Sequence, residues 1–157
     1  MLHKQTVLII DYGSQYTQLI ARRIREQKVY CEIVPYSISS DDIRQRNPKA
    51  VVLSGGPDSV YAEGAPTLDP LIVELGVPVL GICLGHKAIG VAFGCDIINS
   101  NQIVHGKTSM INYTDNMLFK GLPNPFEATR YHSLIIDKKN FSEDLEIIAE
   151  HDNMIMG

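Results

Sequence analysis

The sequence predicts an α/β protein: a doubly wound open parallel sheet followed by an antiparallel β extension. Three observations predict it. Short β-rich runs such as Thr6–Ile10 and Ala50–Ser54 show no polar alternation, the pattern of strands covered on both faces. Helix-patterned segments fall between these runs in strict βαβ order, which calls for crossover connections and a parallel sheet. After Gly94 the texture changes to brief β-like pieces separated by Asn, Asp, Gly and Pro turns, which favours antiparallel pairing.

The elements follow in order. Thr6–Ile10 is the first strand. Asp11-Tyr-Gly-Ser14 provides turn chemistry and a helix cap. Residues 15–27 form a helix with Leu19, Ile20 and Ile24 inward and Arg22, Arg23 and Arg25 outward. Tyr30–Val34 is a second strand, and Ser40 caps a short helix over Asp41–Arg46. Ala50–Ser54 is a third strand, ending in Gly-Gly-Pro. Leu68–Leu75 is helical, Pro78–Ile82 a fourth strand, and Gly85–Phe93 a helix. The later β pieces are 96–99, 103–104, 108–113, 127–131, 133–137 and 145–150. Glu150–Asn153 reads as a hairpin turn, and a further strand begins at Met154.

Composition narrows the function classes. At 157 residues, 45% of them hydrophobic, the chain matches one globular domain with a sizeable core. We expect residues 1–157 to be a single domain. A net charge of −4 argues against a nucleic-acid partner, which calls for a basic face. No apolar run is long enough to span a membrane. The first residues lack the apolar core and cleavage site of a signal peptide. Three cysteines, Cys31, Cys83 and Cys95, have no framework spacing, so a reducing, cytoplasmic setting is expected.

Two turns can carry chemistry, because open α/β sheets gather their sites at strand C-termini. The first is Ser54-Gly-Gly-Pro-Asp58. Its glycines allow backbone N–H groups to face a crevice and hold an anion or oxyanion; its plainer reading is a tight turn. It has no Gly-Lys-Ser/Thr and is not a P-loop. The second is Gly81-Ile-Cys-Leu-Gly85, with the form of a nucleophile elbow between strand and helix. Flanking glycines permit the sharp bend, the bend lifts Cys83 above the sheet, and the helix N-terminus favours a thiolate. The N–H of Leu84 can then join Gly55 and Gly56 as an oxyanion hole. Cys31 and Cys95 fit the ordinary fate of cysteine, a small buried hydrophobe.

A nucleophilic cysteine calls for a base. His3 lies near the terminus, His86 follows Cys83 on the same helix, His105 sits in a loop or strand end, His132 falls within Arg-Tyr-His-Ser-Leu134, and His151 is in the last turn. Sequence distance excludes none of them. A zinc site from Cys83, His86, Cys95 and His105 would have irregular ligand spacing.

At this point the motifs resemble those of the class I, Cys-His-Glu triad glutamine amidotransferases. IIDYGSQYTQLIARRIRE (9–26) and LSGGPDSVYAEGAP (53–66) resemble the amidotransferase domain of GMP synthetase. GICLGHKAIG (81–90), HGKTS (105–109) and LFKGLPNPFEATRYHSL (118–134) resemble the glutaminase subunit of anthranilate and aminodeoxychorismate synthases. The resemblance implies a flavodoxin-like three-layer fold. It implies hydrolysis of L-glutamine through a thioester on Cys83, with ammonia passed to a synthase partner. Gly55, Gly56 and Leu84 would hold the oxyanion; Ser133 and Leu134 would bind the glutamine backbone. No metal or organic cofactor is implied. The acceptor leans slightly toward a chorismate-using synthase, since the second half holds more of the site-lining motifs.

Two departures stand out. Lys87 occupies the position, four after the cysteine, where the family usually has Gln; a cation cannot reproduce an amide that both donates and accepts. The sequence also contains no His-Pro-Glu, the motif that brings the family's base and carboxylate, so the chain reads as truncated before it and weak or inactive in isolation. The alternatives are a catalytically dead, docking or glutamine-binding module, and another elbow-bearing cysteine enzyme.

Overall fold

The computed structural model describes residues 5–57, 61–65 and 67–157, so His3 and Asp58 lie outside the described residues. The chain divides into two compact units, Met1–Ile89 and Gly90–Gly157.

The first unit is a parallel α/β sandwich. Its strands are β1 (Thr6–Asp11), β2 (Tyr30–Pro35), β3 (Ala50–Leu53) and β4 (Val79–Gly81), in the sheet order β2-β1-β3-β4. Every neighbouring pair is parallel, with Ile9 opposite both Ile33 and Val52. The helices are α1 (Thr17–Glu26), α2 (Ser40–Arg46), α3 (Pro70–Glu74) and α4 (Leu84–Ala92). Alternate residues of β1 point to opposite sides, and both sides are covered. Leu8 and Ile10 join Ile43, Val51, Leu53, Ile72, Leu84 and Ala88, so α2, α3 and α4 cover that face. Ile9 joins Ala21, Cys31 and Val52 on the face covered by α1. This is why the β1 run shows no alternation: neither face meets water.

Several local expectations are corrected. α1 begins at Thr17, and Ser14 does not cap it; its hydroxyl instead accepts from the Tyr16 N–H at 3.0 Å within the turn. The buried stripe of α1 is Thr17, Ala21 and, in part, Ile20 and Ile24, whereas Leu19 is exposed. The cap of α2 is Ser39 rather than Ser40. Its hydroxyl accepts from the Asp42 N–H at 3.1 Å, and Ser40 opens the helix while donating to Asp69 at 2.7 Å. Asp69 in turn caps α3 through the Leu71 N–H, so two short helices share one polar junction.

The second unit is antiparallel, as expected, with fewer and longer strands. β5 (Ile97–Tyr113) and β6 (Phe126–Ile136) are continuous where several short pieces were expected, and β7 (Ala149–His151) and β8 (Met154–Ile155) complete the order β6-β5-β7-β8. The apparent interruptions are bulges. Register shifts fall between Asn99 and Val104 and between His105 and Lys107, and turn-forming residues are accommodated there without ending the strand. The expected terminal hairpin is present. Asp152 and Asn153 both have positive φ, 45° and 65°, which suits a turn whose twist matches the strands. Ile111, Phe119 and Ala149 form a small core with Tyr113 and Phe126. Among the described residues, no helix is long and apolar enough to cross a membrane.

Candidate functional site

The two turns singled out in the sequence meet at the C-terminal ends of β3 and β4. β4 ends at Gly81 and α4 begins at Leu84, leaving Ile82 and Cys83 to make the whole bend. Cys83 has φ 53°, the left-handed region that a side chain rarely adopts, and is exposed. Cys31 and Cys95 are buried, and all three are free thiols.

The glycines of the elbow are required by contact. A Cβ on Gly85 would meet the carbonyl oxygen of Leu53 and lie 2.7 Å from its Cβ. A Cβ on Gly81 would lie 2.7 Å from the backbone of Gly85 and from Cδ1 of Ile89. Strand β3 and helix α4 therefore touch backbone to backbone, and Ile82 N–H donates to the Leu53 carbonyl at 2.9 Å. Past the bend, Lys87 N–H donates to the Cys83 carbonyl at 3.1 Å, the first turn of α4.

Gly55 and Gly56 lie beside this elbow. A Cβ on Gly55 would sit 3.1 Å from the Cys83 Cβ and 3.8 Å from its sulfur. On Gly56 it would collide with the Tyr12 carbonyl and lie 2.9 Å from Leu84 Cδ2. The geometry thus brings Gly55, Gly56, Cys83 and Leu84 together, with the side chain of Leu84 buried.

Ser54 organises the loop, a role that sequence reading missed. It is fully buried. Its hydroxyl accepts from the Tyr12 N–H and donates to the Gly55 carbonyl, both at 2.9 Å. In a trans peptide C=O and N–H point in opposite directions, so anchoring the Gly55 carbonyl on Ser54 turns the Gly56 N–H away from it. The available signal was a serine between a buried strand and two glycines. Tyr12 packs in the same core, and its pKa is pushed up to about 12 by burial and by the Asp69 charge, so its phenol is neutral here.

Lys87 stands one turn beyond Cys83. Burial pushes its pKa below the ordinary lysine value, and the negative charge that Cys83 carries as a thiolate partly opposes that shift.

The candidate bases are differently placed. His86 is the one histidine among the described residues of the first unit. In the second unit, His105 is in β5, not a loop, and stacks edge-on against Tyr131 with ring centroids 5.1 Å apart. His132 Nε2 accepts from Arg130 Nε at 3.0 Å. His151 contacts the Met110 carbonyl at 2.7 Å and the Asp152 carboxylate at 3.2 Å. Ser133 and Leu134 lie on β6 of the second unit. Among the described residues, no three His, Cys, Asp or Glu side chains converge as a metal site.

Two stability predictions follow from the loop. Gly85→Ala should destabilise the fold by about 3 kcal/mol or more, since the added carbon meets backbone that cannot move aside; a denaturant midpoint close to that of the unmodified protein would refute the contact. Ser54→Ala should cost about 2–4 kcal/mol, because it strands a buried N–H and a buried C=O at once. Chemical denaturation checks this as well, and a loss below about 1 kcal/mol would mean that water replaces the hydroxyl.

Known proteins resemble this chain over most of its length. Residues 8–157 match the family model described as glutamine amidotransferase class-I. The chain is 42% identical over 151 residues to a protein of Clostridium novyi named GMP synthase [glutamine-hydrolyzing], covering 96% of this chain and 29% of that one. It is 52% identical over 122 residues to the protein of the same name from Chlorobium chlorochromatii, covering 76% and 24%. The chain thus spans about a quarter of the length of these relatives. Among solved structures, a candidate GMP synthase subunit from Thermoplasma acidophilum superposes with a TM-score of 0.75 at 26% identity, covering 98% of this chain and 76% of that one. A glutamine amidotransferase from Thermotoga maritima shares the fold, with a TM-score of 0.72 at 16% identity and coverage of 98% and 70%. With an exposed cysteine on a glycine-flanked elbow and a family match over nearly its whole length, the chain belongs to the class I glutamine amidotransferases.

Proposed function

We propose that residues 1–157 act as one amidotransferase domain that hydrolyses L-glutamine and supplies ammonia to a GMP-forming synthase. The observation that carries this reading is Cys83, exposed at a strained φ and set against Gly55. Support for this acceptor comes from the relatives named GMP synthase at 42% and 52% identity, which weigh against the chorismate-using partner favoured by the motifs of the second half. Three free thiols fit a reducing, cytoplasmic setting.

In this reading the Cys83 thiolate attacks the side-chain carboxamide of glutamine. Charge moves to the carbonyl oxygen, where the loop of Gly55 and Gly56 and the N–H of Leu84 receive it. The C–N bond breaks as the nitrogen takes up a proton and leaves as ammonia, giving a glutamyl thioester. Water then releases glutamate and restores the thiol. The proton on the leaving nitrogen is the one Cys83 gave up, and it needs a carrier. The family places that role on the His of His-Pro-Glu, which this sequence does not contain. Ser133 and Leu134 bind the main-chain groups of glutamine. Lys87 replaces an amide with a cation that favours the thiolate. A catalytically silent glutamine-binding or docking module is the competing reading, and Lys87, a cation where the family has an amide, is what favours it.

Covalent labelling tests the site. A halomethyl ketone analogue of glutamine should modify Cys83 in preference to Cys31 and Cys95, and free glutamine should block it, as read by peptide mass spectrometry. Equal labelling of all three cysteines would overturn the assignment. Joining a His-Pro-Glu-bearing segment to the chain should then yield ammonia release that Cys83→Ala lowers by at least about a thousandfold; release that survives this substitution would do the same, and labelling without release would favour the silent module.

Lys87→Gln separates two effects of the partly buried cation. Because burial opposes the protonated amine, the charge costs stability at neutral pH, and that cost fades as pH rises toward the ordinary lysine value. The variant should therefore unfold at a temperature equal to or above that of the parent. It should also slow iodoacetamide alkylation of Cys83 at pH 7 by about three- to tenfold, the size of one partly screened charge. Unchanged alkylation would mean that the ammonium does not act on the thiol.

A further inference from the structure

The second unit contains a buried cation with no acid to balance it among the described residues. Arg130 is 4% exposed. It sits on the inward side of β6, in the alternating series Phe126, Ala128, Arg130, His132, Leu134 and Ile136. A charge in such a position is ordinarily paired with a carboxylate. The partners of Arg130 are instead neutral. Nη1 donates to Ser109 Oγ at 3.1 Å, Nη2 lies 3.8 Å from Met154 Sδ, and Nε donates to His132 Nε2 at 3.0 Å.

The third contact decides the state of the imidazole. A guanidinium only donates, so Nε2 of His132 has to accept and carries no proton. The ring proton then resides on Nδ1, which lies 3.2 Å from the Leu134 carbonyl and donates to it. His132 is neutral and oriented from both sides, which also removes Nε2 from the candidate bases. β5 adds a second feature at the same place. Between Asn99 opposite Leu134 and Val104 opposite His132, it inserts Ser100, Asn101, Gln102 and Ile103 against the single residue Ser133. Ser133 therefore has no register partner across the sheet and is exposed. Main chain without a facing ladder partner would ordinarily drift. Here the bond from His132 to the Leu134 carbonyl, on the far side of Ser133, holds it.

We infer that Arg130 and His132 are positioning residues, which fix the Ser133–Leu134 main chain so that it can recognise the amino and carboxylate groups of a free amino acid. The inference rests on the reading above, in which Ser133 and Leu134 bind glutamine. Neither residue touches substrate. Arg130 sets the tautomer, His132 transmits it, and the bulge of β5 leaves the main chain accessible.

The test uses the full chain with 15N-labelled histidine. NMR should show His132 at neutral pH protonated on Nδ1 and bare on Nε2; a proton on Nε2, or an imidazolium, overturns the relay even if no variant folds. Protection of Cys83 from the halomethyl ketone by glutamine then measures affinity. His132→Phe keeps the bulk and loses the donor, and should require at least tenfold more glutamine for half protection. His132→Asn returns a donor near Nδ1 and should recover to within about threefold of the parent. Equal protection in His132→Phe, or no recovery in His132→Asn, overturns the positioning role. If glutamine fails to protect the parent chain, the reading of the site has failed and the substrate role of the relay falls with it, while the tautomer result still reports on the contact itself.

Discussion

The approach of Gly85 to the carbonyl of Leu53 is the constraint on which the first unit depends. No side chain fits between β3 and the start of α4, so the helix begins where strand and helix backbones touch. The two residues between β4 and α4 have to reverse direction within that space. Cys83 takes a positive φ and stands out from the bend as a consequence. Such a conformation costs on the order of 1–3 kcal/mol and persists only where its surroundings impose it. Here they do: Ile82 is hooked to Leu53, Gly81 packs on Gly85, and Gly55 closes against the Cys83 side chain.

The same region illustrates how polar groups are accommodated in a dry core. Both faces of β1 are covered, so the loop after β3 leaves the sheet among apolar side chains. Ser54 lets it do so by giving the Tyr12 N–H and the Gly55 carbonyl a shared partner. In the second unit, Arg130 meets a comparable demand with neutral acceptors rather than an ion pair. Ser54 directly, and His132 as the partner of Arg130, settle which way a neighbouring backbone group faces. That is the property a site built from main-chain donors and acceptors depends on.

Legibility varied with the range of the interaction. The elbow was readable because the spacing of Gly81, Cys83 and Gly85 is a local pattern with a single geometric purpose. The parallel core was readable because unbroken apolar runs leave no face for water. The cap of α2 was off by one, since Ser39 and Ser40 are equally good caps in isolation and the choice was made by Asp69, 29 residues from Ser40 in the chain. Leu19 was placed inward on helical spacing that Thr17, Ala21 and Ile24 satisfy as well; packing on β1 and β2 selected the latter. β5 and β6 were broken into pieces because Asn, Gly and Ser signal turns locally, whereas a paired strand can absorb them as bulges.

By itself, then, the sequence determined the family, the α/β order, the antiparallel extension and the identity of the candidate nucleophile, all of which rest on short-range patterns of residue type. The tertiary structure alone decided the roles of Ser54, Arg130 and His132. The Ser54 contact with Tyr12 spans 42 residues, the Arg130 contacts with Ser109 and Met154 span 21 and 24, and the His132 tautomer is a consequence of which donor faces it. A hydrogen-bond partner is a matter of direction and burial, and a one-dimensional pattern specifies neither until the chain has folded.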